Sequence, residues 1–185
     1  MMRTFIAVDV ASSATIGRLQ SDIMSAQGWS ARDVKPIEAH NFHFTLIFLG
    51  EIRDGDADSI KAKLSEVQFE PFTITYVGVG AFPKSDAARV IWVGVDSAGG
   101  QKLCALAGDV VSKMAGLGFQ ADKPFSPHIT IFRAKGRPVR MADIVSKYRG
   151  ATFGIDTVDR VHLKKSDLRS SGPVYSNIYT VAAKK

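Results

Sequence analysis

The stretch "NFHFTLIF", residues 41–48, places one histidine and one threonine in an otherwise apolar, strand-like run. The stretch "SPHITIF", residues 126–132, repeats the arrangement, and both copies come from a chain with only four histidines. Alternate side chains of a β-strand share a face. Each copy therefore predicts a strand with a histidine and a threonine on one face and apolar side chains on the other.

In the first copy, His43 and Thr45 share a face, and the opposite face is predicted to be core: Phe42, Phe44, Leu46 and Phe48. In the second copy, His128 and Thr130 share a face, while Ile129 and Ile131 point to the core. A single histidine on such a strand is often an ordinary packed residue. Two copies with matching apolar neighbours indicate a shared functional site.

The bulk composition is that of a folded protein. The chain has 185 residues, a mass of 20.0 kDa and 45% apolar residues, enough for one domain with its own core. Cys104 is the single cysteine and is expected to be a buried thiol in a reducing compartment. No export signal and no apolar run of about 20 residues is visible, so we expect a cytoplasmic protein.

The positive charge is concentrated in the last third of the chain. Residues 121–185 hold 13 Lys/Arg and 5 Asp/Glu, whereas residues 1–120 hold 11 and 13, out of totals of 24 and 18. The loop "RAKGRPVR" follows the second motif directly. A localised basic segment indicates an anionic partner, with nucleic acid the first candidate and a merely solvated face the alternative.

The periodicity predicts an α+β fold, because strands and helices do not alternate regularly. Predicted strands cover 3–10, 42–52, 71–82, 88–96, 127–132, 153–163 and 174–181, and predicted helices cover 11–28, 58–67, 99–117 and 141–148. No low-complexity linker divides the chain. We therefore expect a single domain, residues 1–185, built from two pseudo-symmetric lobes that each contribute one motif to a central cleft.

Two histidines facing each other suit acid–base catalysis, since an unperturbed pKa of about 6.5 allows one to be neutral and the other protonated. This fits displacement at phosphorus, where one group deprotonates the attacking oxygen and the other protonates the leaving oxygen. Threonine hydroxyls can hydrogen-bond the non-bridging phosphate oxygens as charge develops there. Such a site requires no metal.

The tetrapeptides "HFTL" and "HITI" resemble the paired His-x-Thr-x signatures of the two-histidine phosphoesterase superfamily. The segments "RTFIAVDV", "NFHFTLIFLGEI", "GVGAFP", "RVIWVGV" and "GFQADKPFSPHITIFR" are similar to its RNA 2′,3′-cyclic phosphodiesterase branch, also called the LigT or ThpR family. The resemblance runs in order over most of the chain and weakens after residue 134.

The resemblance implies two antiparallel sheets that form a cleft, with helices packed outside, and a reaction that opens a terminal 2′,3′-cyclic phosphate of RNA to a 2′-phosphate. Some similar proteins also join RNA ends through a 2′–5′ bond. By this resemblance His43 is the proton donor to O3′, His128 the proton acceptor that activates water, and Thr45 and Thr130 bind the phosphate. No cofactor or metal is implied, and a monomer is expected.

Three further residues lie near the motifs. Arg133 matches an arginine that often follows the second motif and is a candidate phosphate ligand, although strict alternation places it on the core face unless the strand bends. Phe132 shares parity with His128 and is a candidate for stacking on a base. His40 is interpreted as a surface or supporting residue, since no further ligands complete a metal site with His43.

Other functions remain open on this evidence. A small cyclic nucleotide, such as ADP-ribose cyclic phosphate, could replace RNA as substrate. A metal-dependent hydrolase predicts sensitivity to chelators. A non-catalytic RNA-binding module would use the basic segment without chemistry, but binding alone does not require two His–Thr pairs.

Overall fold

The fold was determined as a computed structural model, which describes residues 1–53, 55–169 and 172–184. Within these ranges there are nine strands and four α-helices. In chain order they are β1 (Met2–Asp9), α1 (Ser13–Gln27), β2 (Val34–Pro36), β3 (His43–Ile52), α2 (Asp56–Ser65), β4 (Phe72–Phe82), β5 (Val90–Val95), α3 (Ser97–Ala115), β6 (Ile129–Ala134), α4 (Ala142–Lys147), β7 (Thr152–Val158), β8 (Arg160–Arg169) and β9 (Gly172–Ala182).

The strands form two sheets in which every pair is antiparallel, so the predicted α+β class with two antiparallel sheets is confirmed. The first sheet has the order β3-β1-β8-β9, and the second has the order β2-β6-β5-β4-β7. The first motif lies on β3, at the edge of one sheet. The second motif lies at the start of β6, inside the other.

Both sheets share one hydrophobic core. Phe44 of β3 stacks on Tyr76 of β4, with ring centroids 6.2 Å apart and planes at 7°, so the first sheet meets the second there. Helix α3 presents an apolar stripe to this core, consisting of Leu103, Leu106, Ala107, Val110 and Met114. Among the described residues, no helix is sufficiently long and apolar to cross a membrane.

Three expectations about this part of the fold are wrong. Residues 153–163 do not form one strand: the run is interrupted at Asp159, and β7 joins the second sheet while β8 joins the first. Residues 29–41, for which neither a strand nor a helix was predicted, contain β2, which pairs with β6. Cys104 is exposed, because it lies beside the apolar stripe of α3 rather than within it.

A buried carboxylate connects the N-terminus of α1 to the second sheet. Asp156 of β7 accepts hydrogen bonds from the backbone N–H groups of Ala11 and Ser12, at 2.8 and 2.9 Å, and from the hydroxyls of Ser12 and Tyr76. These donors lower the pKa of Asp156 despite its burial. Burial, and then the hydrogen bond to Asp156, raises the pKa of Tyr76. One side chain thus connects β1–α1, β4 and β7.

We expect Asp156→Ala to lower the free energy of unfolding by about 3 kcal/mol, because it leaves several buried donors without an acceptor. Urea denaturation would measure this loss. Asp159→Ala is the matched control, since Asp159 is exposed and its ion pair with Arg160 spans 3.8 Å. Its effect should stay below about 0.5 kcal/mol. Equal losses in the two variants would show that Asp156 does not hold these elements together.

Candidate active site

The two motif strands meet although they belong to different sheets. Strand β3 begins at His43, and β6 begins one residue after His128. The two strands approach each other directly across the core. Phe44 and Ile129, which follow the two histidines, are fully buried, while Thr45 and Thr130 are partly accessible. Each histidine therefore shares with its threonine the face turned away from the core, which we call the motif face of its sheet.

Each motif strand carries a β-bulge directly after its threonine. In β3, Thr45 pairs with Ala7 and Ile47 with Ile6, which leaves Leu46 as the extra residue. In β6, Thr130 pairs with Trp92 and Phe132 with Ile91, which leaves Ile131 as the extra residue. A bulge shifts the alternation of side chains by one position. Two consecutive residues then point to the core in each strand: Leu46 and Ile47 in β3, Ile131 and Phe132 in β6.

The bulges correct three predictions. Phe132 has 0% exposure and packs edge-on against Trp29, so it offers no face to a base and the stacking prediction is wrong. Arg133 is exposed and lies on the motif face, whereas strict alternation predicted the core face. Phe48 was predicted to be core but is 60% exposed on the motif face. Phe48 and Arg133 thus occupy equivalent positions, each five residues after its histidine.

The two imidazoles are held in the same way. His43 Nδ1 lies 2.6 Å from the carbonyl oxygen of Asn41, and His128 Nδ1 lies 2.7 Å from the carbonyl oxygen of Ser126. A carbonyl oxygen only accepts, so Nδ1 carries the hydrogen in both rings. In the neutral ring Nε2 then has the lone pair and can accept a proton, and in the protonated ring Nε2 can donate one.

Aromatic side chains surround both histidines. His43 contacts Phe5 and Tyr175, with ring centroids 5.0 and 5.2 Å away. His128 contacts Phe82 edge-on at 5.1 Å and Trp92 at 6.2 Å. These rings restrict the orientation of each imidazole and reduce its contact with water.

Trp92 can lie against the second sheet because two glycines leave room for it. A Cβ atom at Gly80 would lie 2.1 Å from the indole, and one at Gly94 would lie 3.2 Å from it. Any side chain at Gly80 would displace the indole from its place beside His128.

Burial is the main cause of the lowered pKa of both histidines, because it disfavours the charged imidazolium. The backbone carbonyls of Asn41 and Ser126 oppose this effect. The positive charge of Arg133 lowers the pKa of both histidines, and that of Lys164 lowers the pKa of His43. The charge of one guanidinium therefore disfavours the protonated form of both imidazoles.

An ion pair between a buried lysine and an exposed carboxylate lies beside His43. Lys164 of β8 is almost fully buried and donates to both carboxylate oxygens of Asp9, at 2.6 and 2.8 Å. His162 Nε2 lies 3.7 Å from the same carboxylate, and His162 Nδ1 lies 2.9 Å from Thr180 Oγ1. Asp9, Lys164 and Tyr175 were not among the site residues predicted from the sequence. Asp9 and Lys164 could have been identified as charged residues that interrupt the apolar runs "FIAVDV" and "VHLKK".

His40 does not belong to the group of side chains around His43 and His128. His40 is exposed in a short turn, Ala39–Asn41, ahead of β3. Across residues 1–53, 55–169 and 172–184, no three His, Cys, Asp or Glu side chains are grouped so that they could hold a metal ion.

The chain matches a family model described as LigT-like phosphoesterase, over residues 8–92 and again over 93–175. It is 41% identical to an RNA 2′,3′-cyclic phosphodiesterase of Archaeoglobus fulgidus, over 96% of this chain and 98% of the relative. A protein of the same name from Methanothermobacter thermautotrophicus is 30% identical, over 96% of each chain.

Solved structures agree in fold. A crystal structure of a Thermus thermophilus protein matches with a TM-score of 0.77 and 27% identity, covering 98% of this chain and 97% of that one. The apo structure of Escherichia coli LigT matches with a TM-score of 0.74 and 25% identity, covering 100% of this chain and 98% of that one.

We expect Arg133→Gln to raise the pKa of both His43 and His128, because it removes a positive charge that disfavours both imidazolium forms. Lys164→Gln should raise the pKa of His43 but not that of His128, since of these two rings Lys164 acts on His43 alone. NMR titration of the imidazole Cε1 protons between about pH 4 and pH 8 would measure both values. If Arg133→Gln leaves either pKa unchanged, Arg133 does not act on both imidazoles.

Proposed function

The chain belongs to the LigT-like phosphoesterase family, and we propose that it is an RNA 2′,3′-cyclic phosphodiesterase, a phosphoric diester hydrolase. One observation carries the proposal: two imidazoles from different sheets are held in the same way by backbone carbonyls. The positive charge of Arg133 acts on both of them. Substitution at phosphorus needs a base on one side and an acid on the other. The names of the relatives support the cyclic phosphate at an RNA end as the substrate.

In the proposed reaction, His128 Nε2 removes a proton from water, and the water oxygen forms a bond to phosphorus. The bond between phosphorus and O3′ breaks, and His43 Nε2 gives its proton to O3′. The products are a 2′-phosphate and a free 3′-hydroxyl. The division of roles follows the family resemblance, since both rings are held by a backbone carbonyl in the same way. His43 must be protonated to act as the acid. Because its pKa is lowered, the protonated form is lost at a lower pH than for an ordinary histidine.

The non-bridging oxygens of the phosphate would be bound by Thr45, Thr130 and Arg133. Both hydroxyls lie on the motif faces two residues after the histidines, and the bulge turns Arg133 towards the same side. Hydrogen bonds and a positive charge aimed at these oxygens stabilise the charge that develops in the transition state. The leaving oxygen receives a proton directly, so the reaction is proposed to proceed without metal or cofactor.

Basic side chains near Arg133 support an anionic polymer as partner. Lys35 of β2 lies directly opposite Arg133 in the sheet, and both are exposed. Like charges placed in this way repel each other unless an anion lies between them. The loop 135–140, where Arg89 Nη1 donates to the carbonyl of Gly136 at 3.2 Å, extends the positive surface towards an RNA backbone. We propose a cytoplasmic monomer. A reversible 2′–5′ ligation is proposed as a second activity, in which an RNA 5′-hydroxyl replaces water, its oxygen bonds to phosphorus and the bond to O3′ breaks.

We also propose that residues 1–185 form one catalytic domain of two related halves. The family model matches twice, and both halves repeat the histidine, the carbonyl two residues before it, the threonine and the bulge. These repeats support a pseudo-symmetric origin of the two motif strands.

The direct test is hydrolysis of a short RNA that ends in a 2′,3′-cyclic phosphate, in excess EDTA. We expect turnover to a 2′-phosphate, identified by phosphorus NMR. His43→Ala and His128→Ala should each lower kcat at least about 100-fold, since each removes one of the two proton-transfer groups.

His40→Ala is the matched control, because His40 is exposed and three residues from His43, and it should keep wild-type activity. Turnover that requires added metal would contradict the metal-independent mechanism. Full activity without either motif histidine would contradict their roles, and RNA binding without cleavage would favour a binding module.

A further inference from the structure

A pocket of about 250 Å³ lies next to the first motif, and the proposed reaction gives it no role. One wall comes from β2 and the turn before β3, through residues 35–38, 40 and 41, and the other comes from the start of β9, residues 172–175. We call it the side pocket. Its volume is that of about eight molecules of liquid water, which is enough for one nucleobase.

The side pocket shares two lining residues with the surroundings of His43. The backbone carbonyl of Asn41 accepts the hydrogen bond from His43 Nδ1, and the ring of Tyr175 packs edge-on against the His43 ring, with centroids 5.2 Å apart. A molecule in the side pocket would therefore lie beside the residues that hold His43. It would be a neighbour of the group that reacts at His43 and not that group itself.

One buried polar atom in the wall of the side pocket has no hydrogen-bond partner. Asn41 is only 7% exposed, and its Nδ2 donates to the carbonyl of Pro173 at 3.1 Å. A carbonyl oxygen only accepts, so this contact identifies the amide nitrogen and leaves Oδ1 as the free end. Among the described residues, no donor reaches Asn41 Oδ1. A buried acceptor without a donor is unfavourable, and a ligand that brings an N–H group removes this penalty.

The rest of the wall combines apolar surface with one cation. The apolar side chains are Pro36, Ile37, Pro173 and Val174. The ammonium of Lys35 extends from β2 to the backbone of β9, since a Cβ atom at Gly172 would lie 3.0 Å from Lys35 Nζ. Two further lining residues, Glu38 and His40, are exposed, and we assign no contact to them. Apolar walls, an acceptor without a donor and a neighbouring cation match a nucleobase that carries a phosphate.

We propose that the side pocket binds the RNA nucleotide that precedes the one with the cyclic phosphate. Its base lies between the apolar walls, its amino group donates to Asn41 Oδ1, and the phosphate that links the two nucleotides lies at Lys35. This inference rests on the proposed function. In an in-line displacement, O3′ and its ribose lie on the side of the acid, His43, and the attacking oxygen lies on the side of His128. The RNA chain continues from that ribose, so the preceding nucleotide lies on the His43 side, as the side pocket does.

The test measures equilibrium binding by calorimetry, which can be read whether or not the protein turns over. Three dinucleotides end in adenosine 2′-phosphate and differ only in the first nucleoside, which is adenosine, purine riboside or a ribose without a base. Purine riboside lacks only the amino group of adenosine. Adenosine 2′-phosphate alone is the fourth ligand, and it does not reach the side pocket.

The wild type should bind the adenosine dinucleotide roughly fivefold more tightly than the purine riboside dinucleotide, because one hydrogen bond is lost, and roughly 30-fold more tightly than the dinucleotide without the first base. Val174→Trp fills the side pocket, so it should abolish these differences and leave the Kd of adenosine 2′-phosphate unchanged. Ile155→Trp is the matched control, because Ile155 is 64% exposed on β7, the edge strand separated from β6 by β4 and β5. It should bind all four ligands like the wild type.

Equal affinities of the wild type for the three dinucleotides would overturn the proposal. Wild-type differences that persist in Val174→Trp would overturn it as well, because the first base would then bind elsewhere. If Val174→Trp weakens adenosine 2′-phosphate as much as the adenosine dinucleotide, the side pocket holds the terminal nucleotide or only supports His43, and the proposal is wrong. The proposed function fails separately, when the RNA cyclic phosphate is not hydrolysed although dinucleotide binding depends on the side pocket.

Discussion

The hydrogen bond from each catalytic candidate's Nδ1 to the carbonyl two residues earlier is the contact on which the site depends. It is 2.6 Å long at His43 and 2.7 Å at His128. Each bond fixes the tautomer and the direction of the ring before any substrate arrives. Without it, burial among aromatic side chains would leave the imidazole free to turn, and Nε2 would not be held towards a phosphate.

The backbone that supplies these carbonyls is itself held by the fold. The turn before β3 is closed by the Asn41 N–H, which donates to the Glu38 carbonyl at 2.8 Å, and the Asn41 side chain donates to the Pro173 carbonyl at 3.1 Å. Gln20 of α1 donates to the carbonyls of Ile37 and Ile131, so one helix contacts the segments next to both motifs. The positions of the two histidines relative to each other therefore follow from these partly buried polar contacts and from the common core.

The sequence predicted the α+β class, most helices and the two His–Thr faces, because these follow from side-chain periodicity. It did not predict the bulges after Thr45 and Thr130. An apolar run such as "LIF" shows no sequence pattern that distinguishes a regular strand from a bulged one. Its register is decided by the partner strand. The errors at Phe48 and Phe132 and the doubt about Arg133 all follow from this. The ion pair of Asp9 and Lys164 joins residues 155 positions apart, which local patterns cannot reveal.

The most direct test of the central claim is a crystal structure with a nucleoside vanadate, whose five-coordinate centre resembles the transition state at phosphorus. The proposed mechanism predicts that the two apical oxygens lie within hydrogen-bond distance, about 2.6–3.2 Å, of His43 Nε2 and His128 Nε2. The hydroxyls of Thr45 and Thr130 should contact the equatorial oxygens. Vanadate bound to only one histidine, or held through Nδ1 after either ring has turned, would contradict the mechanism.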